Sequence, residues 1–298
     1  MLIIKLSKTR IKLVNRDNLK TLVIVVLIAS VGIAVSIGLR YWLSNPGDDV
    51  QLDSVADINP IATSPAGAAD FQIDQVYHSD EYGDIHYSIY IPTDYDASKP
   101  YPMYITLPGY EGLYFQGVGV NLRDEDFASE AVKINSQMIV VAPQLSDWGE
   151  TSANQTIALI EYFKDNYNVN KVYANGYSGG GETMSLVMSK RADLIDAYLQ
   201  VSSQWDGAFE STIENEMPVY FFVGESDEYY GSEPTIRAYN TLHDMYVAKG
   251  VSEKQIDEIL ILDVRGQDFF DEHGMSSQHG GGGLVAHEEN IMRWLLSR

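Results

Sequence analysis

Apolar residues are distributed along the chain in three regimes. From Thr21 to Leu39, 19 consecutive residues (TLVIVVLIASVGIAVSIGL) carry no charge. At about 1.5 Å of rise per residue a helix of that length reaches roughly 28 Å, enough to cross a bilayer. Residues 44–69 mix Pro, Gly, Asp, Ser and Ala with no apolar period, the composition of a flexible linker. From residue 70 onward, short apolar runs alternate with stretches of helical spacing.

That third regime predicts a fold. FQIDQVY and DIHYSIYI, separated by the turn-forming DEYGD, predict an antiparallel pair of strands. YPMYITL (101–107) is apolar enough throughout to be a strand covered on both faces. QMIVVAP (137–143), KVYANGY (171–177), AYLQVS, PVYFFVG (218–224) and LILDVR (260–265) predict further strands. Helical spacing occurs in TIALIEYFKDNY (156–167), from Gly180 to Lys190, around 234–248 and in the closing EENIMRWLLS. Strands that alternate with helices require crossover connections, so residues 70–298 are expected to form one α/β domain with a mostly parallel central sheet flanked by helices.

Charge orients the first regime. Lys5, Lys8, Arg10, Lys12, Arg16 and Lys20 precede the apolar run against Asp17 alone. The positive-inside rule then makes 1–20 a cytoplasmic segment and 21–43 a transmembrane signal anchor, with Tyr41 and Trp42 at the far interface and the rest of the chain outside the cytoplasm. A cleaved signal peptide, which would leave the protein secreted, fits less well. Its apolar core is usually about 7–15 residues, and a small-x-small site such as Ala34-Val35-Ser36 lies inside the run rather than after it.

Of 20 basic and 42 acidic residues, seven basic and one acidic precede residue 44, which leaves 13 against 41. A domain that acidic repels nucleic acid. There is no cysteine, hence no disulfide, thiolate metal site or cysteine nucleophile.

The candidate chemistry lies in NGYSGGGE (175–182). Gly176-Tyr177-Ser178-Gly179-Gly180 matches G-x-S-x-G at the end of one apolar strand and the start of a helix. In that setting the serine sits on a sharp turn, and glycines on either side let strand and helix approach closely. A P-loop is excluded because the Lys-Ser/Thr is missing. A serine hydroxyl needs a base and an orienting acid, expected in the chain order Ser, acid, His. Asp227, three residues beyond Gly224 in GESD, is the candidate acid, with Glu225 and Glu228 as neighbours able to substitute. Three histidines follow the last strand. His279, on the flexible QHGGGG loop, is the first candidate, His287 before the last helix is the alternative, and His273 stands closest to the strand. The amide of Gly179 and one from LPGYEG (107–112), assigned to Tyr110, would form an oxyanion hole. Trp148 and Trp205, on loops at strand ends, are candidate walls of the substrate pocket.

Together these residues resemble the α/β-hydrolase superfamily, in its secreted esterase and prolyl-oligopeptidase-like (S9-like) branch. SKPYPMYITLPGYEG is similar to that branch's strand and oxyanion loop, KVYANGYSGGGETM to its nucleophile elbow and VGESDEYYG to its acid turn. The resemblance covers roughly residues 70–298. It implies a triad of Ser178, Asp227 and a histidine in the terminal loop, with no metal and no organic cofactor. It departs from the branch at Pro108-Gly109, where a histidine commonly precedes the glycine of the oxyanion loop. The stretch between anchor and hydrolase is too short for the propeller that gates the oligopeptidases. A membrane-anchored carboxylic-ester hydrolase acting on a small-molecule or oligomeric ester is therefore the expected function. A serine peptidase of the prolyl-oligopeptidase type and a non-catalytic binding protein on a hydrolase fold are the alternatives.

Overall fold

The computed structural model describes residues 70–298; the cytoplasmic segment, anchor and linker expected within residues 1–69 lie outside the described residues. Among the described residues no helix is long and apolar enough to cross a membrane.

Eight strands form one sheet: β1 (Gln72–Ser79), β2 (Gly83–Tyr90), β3 (Tyr101–Leu107), β4 (Ile139–Gln144), β5 (Val169–Tyr177), β6 (Ala197–Val201), β7 (Val219–Gly224) and β8 (Leu260–Arg265). Their order is β1-β2-β4-β3-β5-β6-β7-β8. β1 pairs antiparallel with β2, and β2 antiparallel with β4. All other neighbours run parallel. Every residue of β4 and β6 is buried, as expected for strands enclosed between two helical layers.

Alternation along the strands divides the core into two apolar layers. Ile105 and Val141 face one layer with Leu159, Phe163, Val187 and Leu242, from helices Glu150–Asn166, Gly179–Arg191 and Glu233–Lys249. Tyr104 and Val140 face the other, with Phe127, Phe270 and Met292 from helices Phe127–Ile134, Gln267–Glu272 and Glu289–Leu296. The crossover helix Phe127–Ile134 and the short helices Val120–Asp124 and Glu253–Ile259 had no expectation in the sequence. The helix read over 156–167 begins at Glu150, because its first turns bury the small or polar Ser152, Ala153 and Gln155 rather than an apolar stripe.

Parallel strands deliver their carboxyl ends to one edge of the sheet, where the loops meet. Leu107 pairs with Gly176, so the loop after β3 emerges beside Ser178. Val201 pairs with Tyr177, and Gly224 with Arg265, which brings the loops after β6, β7 and β8 into the same group.

The turn from β5 into helix Gly179–Arg191 is closed by contact between backbones. A Cβ on Gly180 would lie 2.2 Å from the Leu107 carbonyl oxygen, and one on Gly176 would lie 2.5 Å from the Gly180 carbonyl oxygen. Neither obstacle is a side chain that could rotate away. We predict that Gly180→Ala is destabilised by about 1–3 kcal/mol, the range for overpacking a tight interior. Urea unfolding of the variant beside the wild-type chain measures it, and equal midpoints would show that the helix can withdraw without cost.

Candidate active site

Ser178 occupies the tip of that turn with φ 52° and ψ −125°, a left-handed conformation that a non-glycine residue adopts only where its surroundings impose it. Three hydrogen bonds do so. The Ser178 N–H donates to the Val201 carbonyl at 3.0 Å, and the Ser178 carbonyl accepts from the Gly181 N–H at 2.9 Å and the Ser203 hydroxyl at 2.6 Å. The Ser178 side chain lines a cavity, with Oγ 3.0 Å from Nε2 of His279.

His279 is held on three sides. Its Nδ1 is 2.9 Å from Oδ2 of Asp227. Its carbonyl accepts from the Tyr177 hydroxyl at 2.8 Å, and its N–H donates to Oε2 of Glu228 at 2.8 Å. The glycines that follow allow the segment to lie close to the sheet. A Cβ on Gly281 would be 2.5 Å from Phe270, and one on Gly282 2.7 Å from Tyr177.

The acid is held as firmly. The Asp227 side chain is fully buried, and its Oδ1 accepts the N–H groups of Tyr229 at 3.0 Å and Tyr230 at 2.9 Å. One carboxylate oxygen is thus used to fix the group, which leaves the other for the imidazole. Glu228, weighed in the sequence as an acid in its own right, instead clamps the histidine loop through the N–H groups of Gln278 and His279 and the Ser277 hydroxyl. These donors hold its carboxyl down at about 2. Glu225 is exposed, and its backbone joins the carbonyl of Arg265.

Two expectations need correction. His287 does not approach Ser178: its imidazole lies between Asp126 at 3.0 Å and Glu130 at 3.3 Å, on the surface before the last helix. Trp205 does not line the cavity at Ser178. It stacks on Phe209 with centroids 5.2 Å apart and packs beside Tyr198 and Phe221, because its loop turns back over the helical layer. His273 likewise points elsewhere, its Nδ1 2.8 Å from the Phe269 carbonyl.

Ser178 opens into a cavity of about 560 Å³ bounded by Tyr110, Trp148, Tyr177, Tyr229 and Tyr230, with Glu111, Asp124 and Glu125 on one wall. That volume suits a small organic group. Trp148 presses on the elbow, since a Cβ on Gly179 would lie 2.7 Å from its ring. Gly179 and Tyr110 are each the first residue of a helix or 3-10 turn, so neither N–H has an intrahelical acceptor, and both residues line the cavity beside Ser178. Sequence reasoning missed Tyr177, Tyr229, Tyr230 and Ser203. The two tyrosines two and three residues after Asp227 were the one available signal, since an Asp side chain commonly accepts N–H groups two or three residues on.

The sheet order, the elbow and the loop placement together define the α/β-hydrolase fold. Solved structures share it. A thermostable esterase superposes with a TM-score of 0.63 at 19% identity over 76% of this chain and 63% of its own. A mutant feruloyl esterase module from Clostridium thermocellum, complexed with sinapinate, gives 0.55 at 14% over 82% and 95%. Oligopeptidase B from Leishmania major gives 0.50 at 13% over 77% and 37%. The chain therefore spans less than two thirds of the esterase and little more than a third of the peptidase. No family model matches it, and no curated protein matches it by sequence.

The Glu228 clamp has a pH signature. A carboxyl held below its ordinary range stabilises the fold fully above that range, near 4.5, and the contribution is lost as pH falls toward about 2. We predict that Glu228→Gln lowers the melting temperature at neutral pH and that the gap from wild type closes between pH 4.5 and 2. A gap independent of pH would contradict the clamp.

Proposed function

We propose that the chain is a serine hydrolase that cleaves carboxylic esters through an acyl-enzyme, anchored by residues 21–43 with its catalytic domain outside the cytoplasm. The observation that carries the catalytic reading is the continuous relay from Ser178 Oγ to His279 Nε2 at 3.0 Å and from His279 Nδ1 to Asp227 at 2.9 Å.

In that reading His279 Nε2 takes the proton as Ser178 Oγ attacks the ester carbon, and Asp227 orients the ring and stabilises the imidazolium that forms. The carbonyl oxygen gains negative charge and is received by the N–H groups of Gly179 and Tyr110. Collapse of the tetrahedral intermediate breaks the bond to the alcohol oxygen, which leaves with the proton from His279. Water, deprotonated by the same imidazole, then releases the acid and restores Ser178. Esters with a planar, largely apolar acyl group fit the aromatic walls best, and the neighbour complexed with sinapinate supports that choice. Peptide bonds are the second reading, favoured by the likeness to oligopeptidase B.

The test is turnover of p-nitrophenyl acyl esters and proline-containing amides by the full-length protein beside Ser178→Ala and Asp227→Asn. We expect ester hydrolysis to vanish in the first variant and to fall by about 10³–10⁴-fold in the second, where the imidazole tautomer is wrong. Undiminished hydrolysis in Ser178→Ala would refute the nucleophile. Amide cleavage at rates equal to ester cleavage would favour the peptidase. Protease accessibility of the catalytic domain on intact cells, with the protein pelleting with membranes, tests the anchor.

A further inference from the structure

We propose that Glu125 is a positioning residue that holds the oxyanion loop against Ser178, and that it does so as a neutral carboxylic acid. The inference rests on the ester-hydrolase reading and adds a residue to it.

The geometry is a short chain of contacts. Oε1 of Glu125 accepts the N–H of Gly109 at 2.7 Å. Gly109 in turn abuts the nucleophile, since a Cβ placed on it would lie 3.3 Å from Ser178 Cβ. Tyr110, whose N–H is the second candidate oxyanion donor, follows directly. Glu125 thus fixes the residue from which that donor is hung. Its own mounting is rigid. It closes the short helix Val120–Asp124, and its N–H donates to the Asn121 carbonyl at 3.2 Å. The Asn121 side chain donates to the carbonyls of Ala142 and Pro143, at the end of β4, at 3.0 and 3.1 Å.

The charge state follows from what faces this carboxyl. Glu125 is only 9% exposed, yet it lines the cavity, which has no lysine or arginine among its bounding residues. Glu111 approaches from the oxyanion loop and Asp124 from its own helix, the latter paired with Arg123 at 2.8 Å. Asp126 is turned outward to His287. The phenols of Tyr104 and Tyr177 face it from β3 and β5, and His279, Tyr229 and Tyr230 line the same cavity, with Asp227 behind the imidazole. Burial first, then the charges of Glu111 and Asp124, push the Glu125 carboxyl up to about 8, against the opposing effect of the Gly109 N–H.

Below that pH the protonated acid still offers its carbonyl oxygen to Gly109, and Glu125 adds no negative charge of its own to those of Glu111 and Asp124 near the place where the oxyanion develops. Above it, ionisation keeps the hydrogen bond but adds a charge that repels the transition state in a site of low dielectric. The latch therefore works over the pH range in which Glu125 is neutral.

Glu125→Gln separates latch from charge, because glutamine keeps the acceptor oxygen and cannot ionise. In the full-length protein we expect wild-type kcat/KM to fall above about pH 8 by about tenfold per pH unit, as for loss of one proton. Glu125→Gln should keep most of the wild-type kcat/KM near pH 7 and lack that alkaline limb. Glu125→Ala should lose about 10–100-fold in kcat at every pH with less change in KM, the effect of misplacing one donor. An alkaline limb that persists in Glu125→Gln, or loss of activity in that folded variant near pH 7, overturns the proposal. A readout without turnover keeps it separate from the hydrolase reading. Amide hydrogen exchange at Gly109 should be slow in wild type and Glu125→Gln and fast in Glu125→Ala; equal exchange in all three overturns the latch even if no ester is cleaved.

Discussion

The site depends on one close approach of backbone to backbone. Helix Gly179–Arg191 starts so near the ends of β3 and β5 that only glycine fits at 176 and 180. That closeness forces Ser178 to φ 52°. The strain is local and is offset by the three hydrogen bonds on its peptide groups and by the buried layers beneath. Its consequence is that Ser178 Oγ, the Gly179 amide and the loop after β3 face the same cavity. Relaxing the turn would move all of them at once.

Carboxylates organise what surrounds this turn. In a chain with twice as many acids as bases, three of them around the site find main-chain N–H groups rather than cations as partners. Asp227 takes the amides of Tyr229 and Tyr230, Glu228 those of Gln278 and His279, and Glu125 that of Gly109. The same kind of bond leads to opposite outcomes. Glu228 is exposed and receives several donors, so its charged form is favoured; Glu125 is buried with one donor, so its neutral form is favoured. Burial and the number of donors decide the charge, and the charge decides whether the group can stand beside a developing oxyanion.

Much of this was legible in the chain. Continuous apolar runs such as YPMYITL and the turn chemistry of DEYGD carry the strand positions, because buried parallel strands and hairpins impose those patterns on sequence. Ser178 and Asp227 were legible because one directly follows a strand and the other lies three residues past the end of one, where connectivity constrains position. His279 was separable from His287 by the glycines after it, which permit the loop to lie against Tyr177, and by the helical spacing of His287 to Ile291 and Trp294. Trp205 was misplaced because a loop aromatic has no period to show which way it faces. Glu125 was invisible for a related reason: it lies 53 residues before the serine, just past the end of a short helix, and only the fold brings it to Gly109. The anchor proposed for residues 21–43 rests on hydropathy and charge alone.

The central claim is a covalent one, that Ser178 carries the acyl group. Rapid mixing of the full-length protein with p-nitrophenyl acetate, acid quenching and peptide mass analysis test it directly. An added acetyl group on the peptide containing Ser178, at up to one per chain and accompanied by a burst of p-nitrophenol, is the expected result. Steady release of p-nitrophenol with no acetyl group on Ser178, or an acetyl group on another residue, would contradict it.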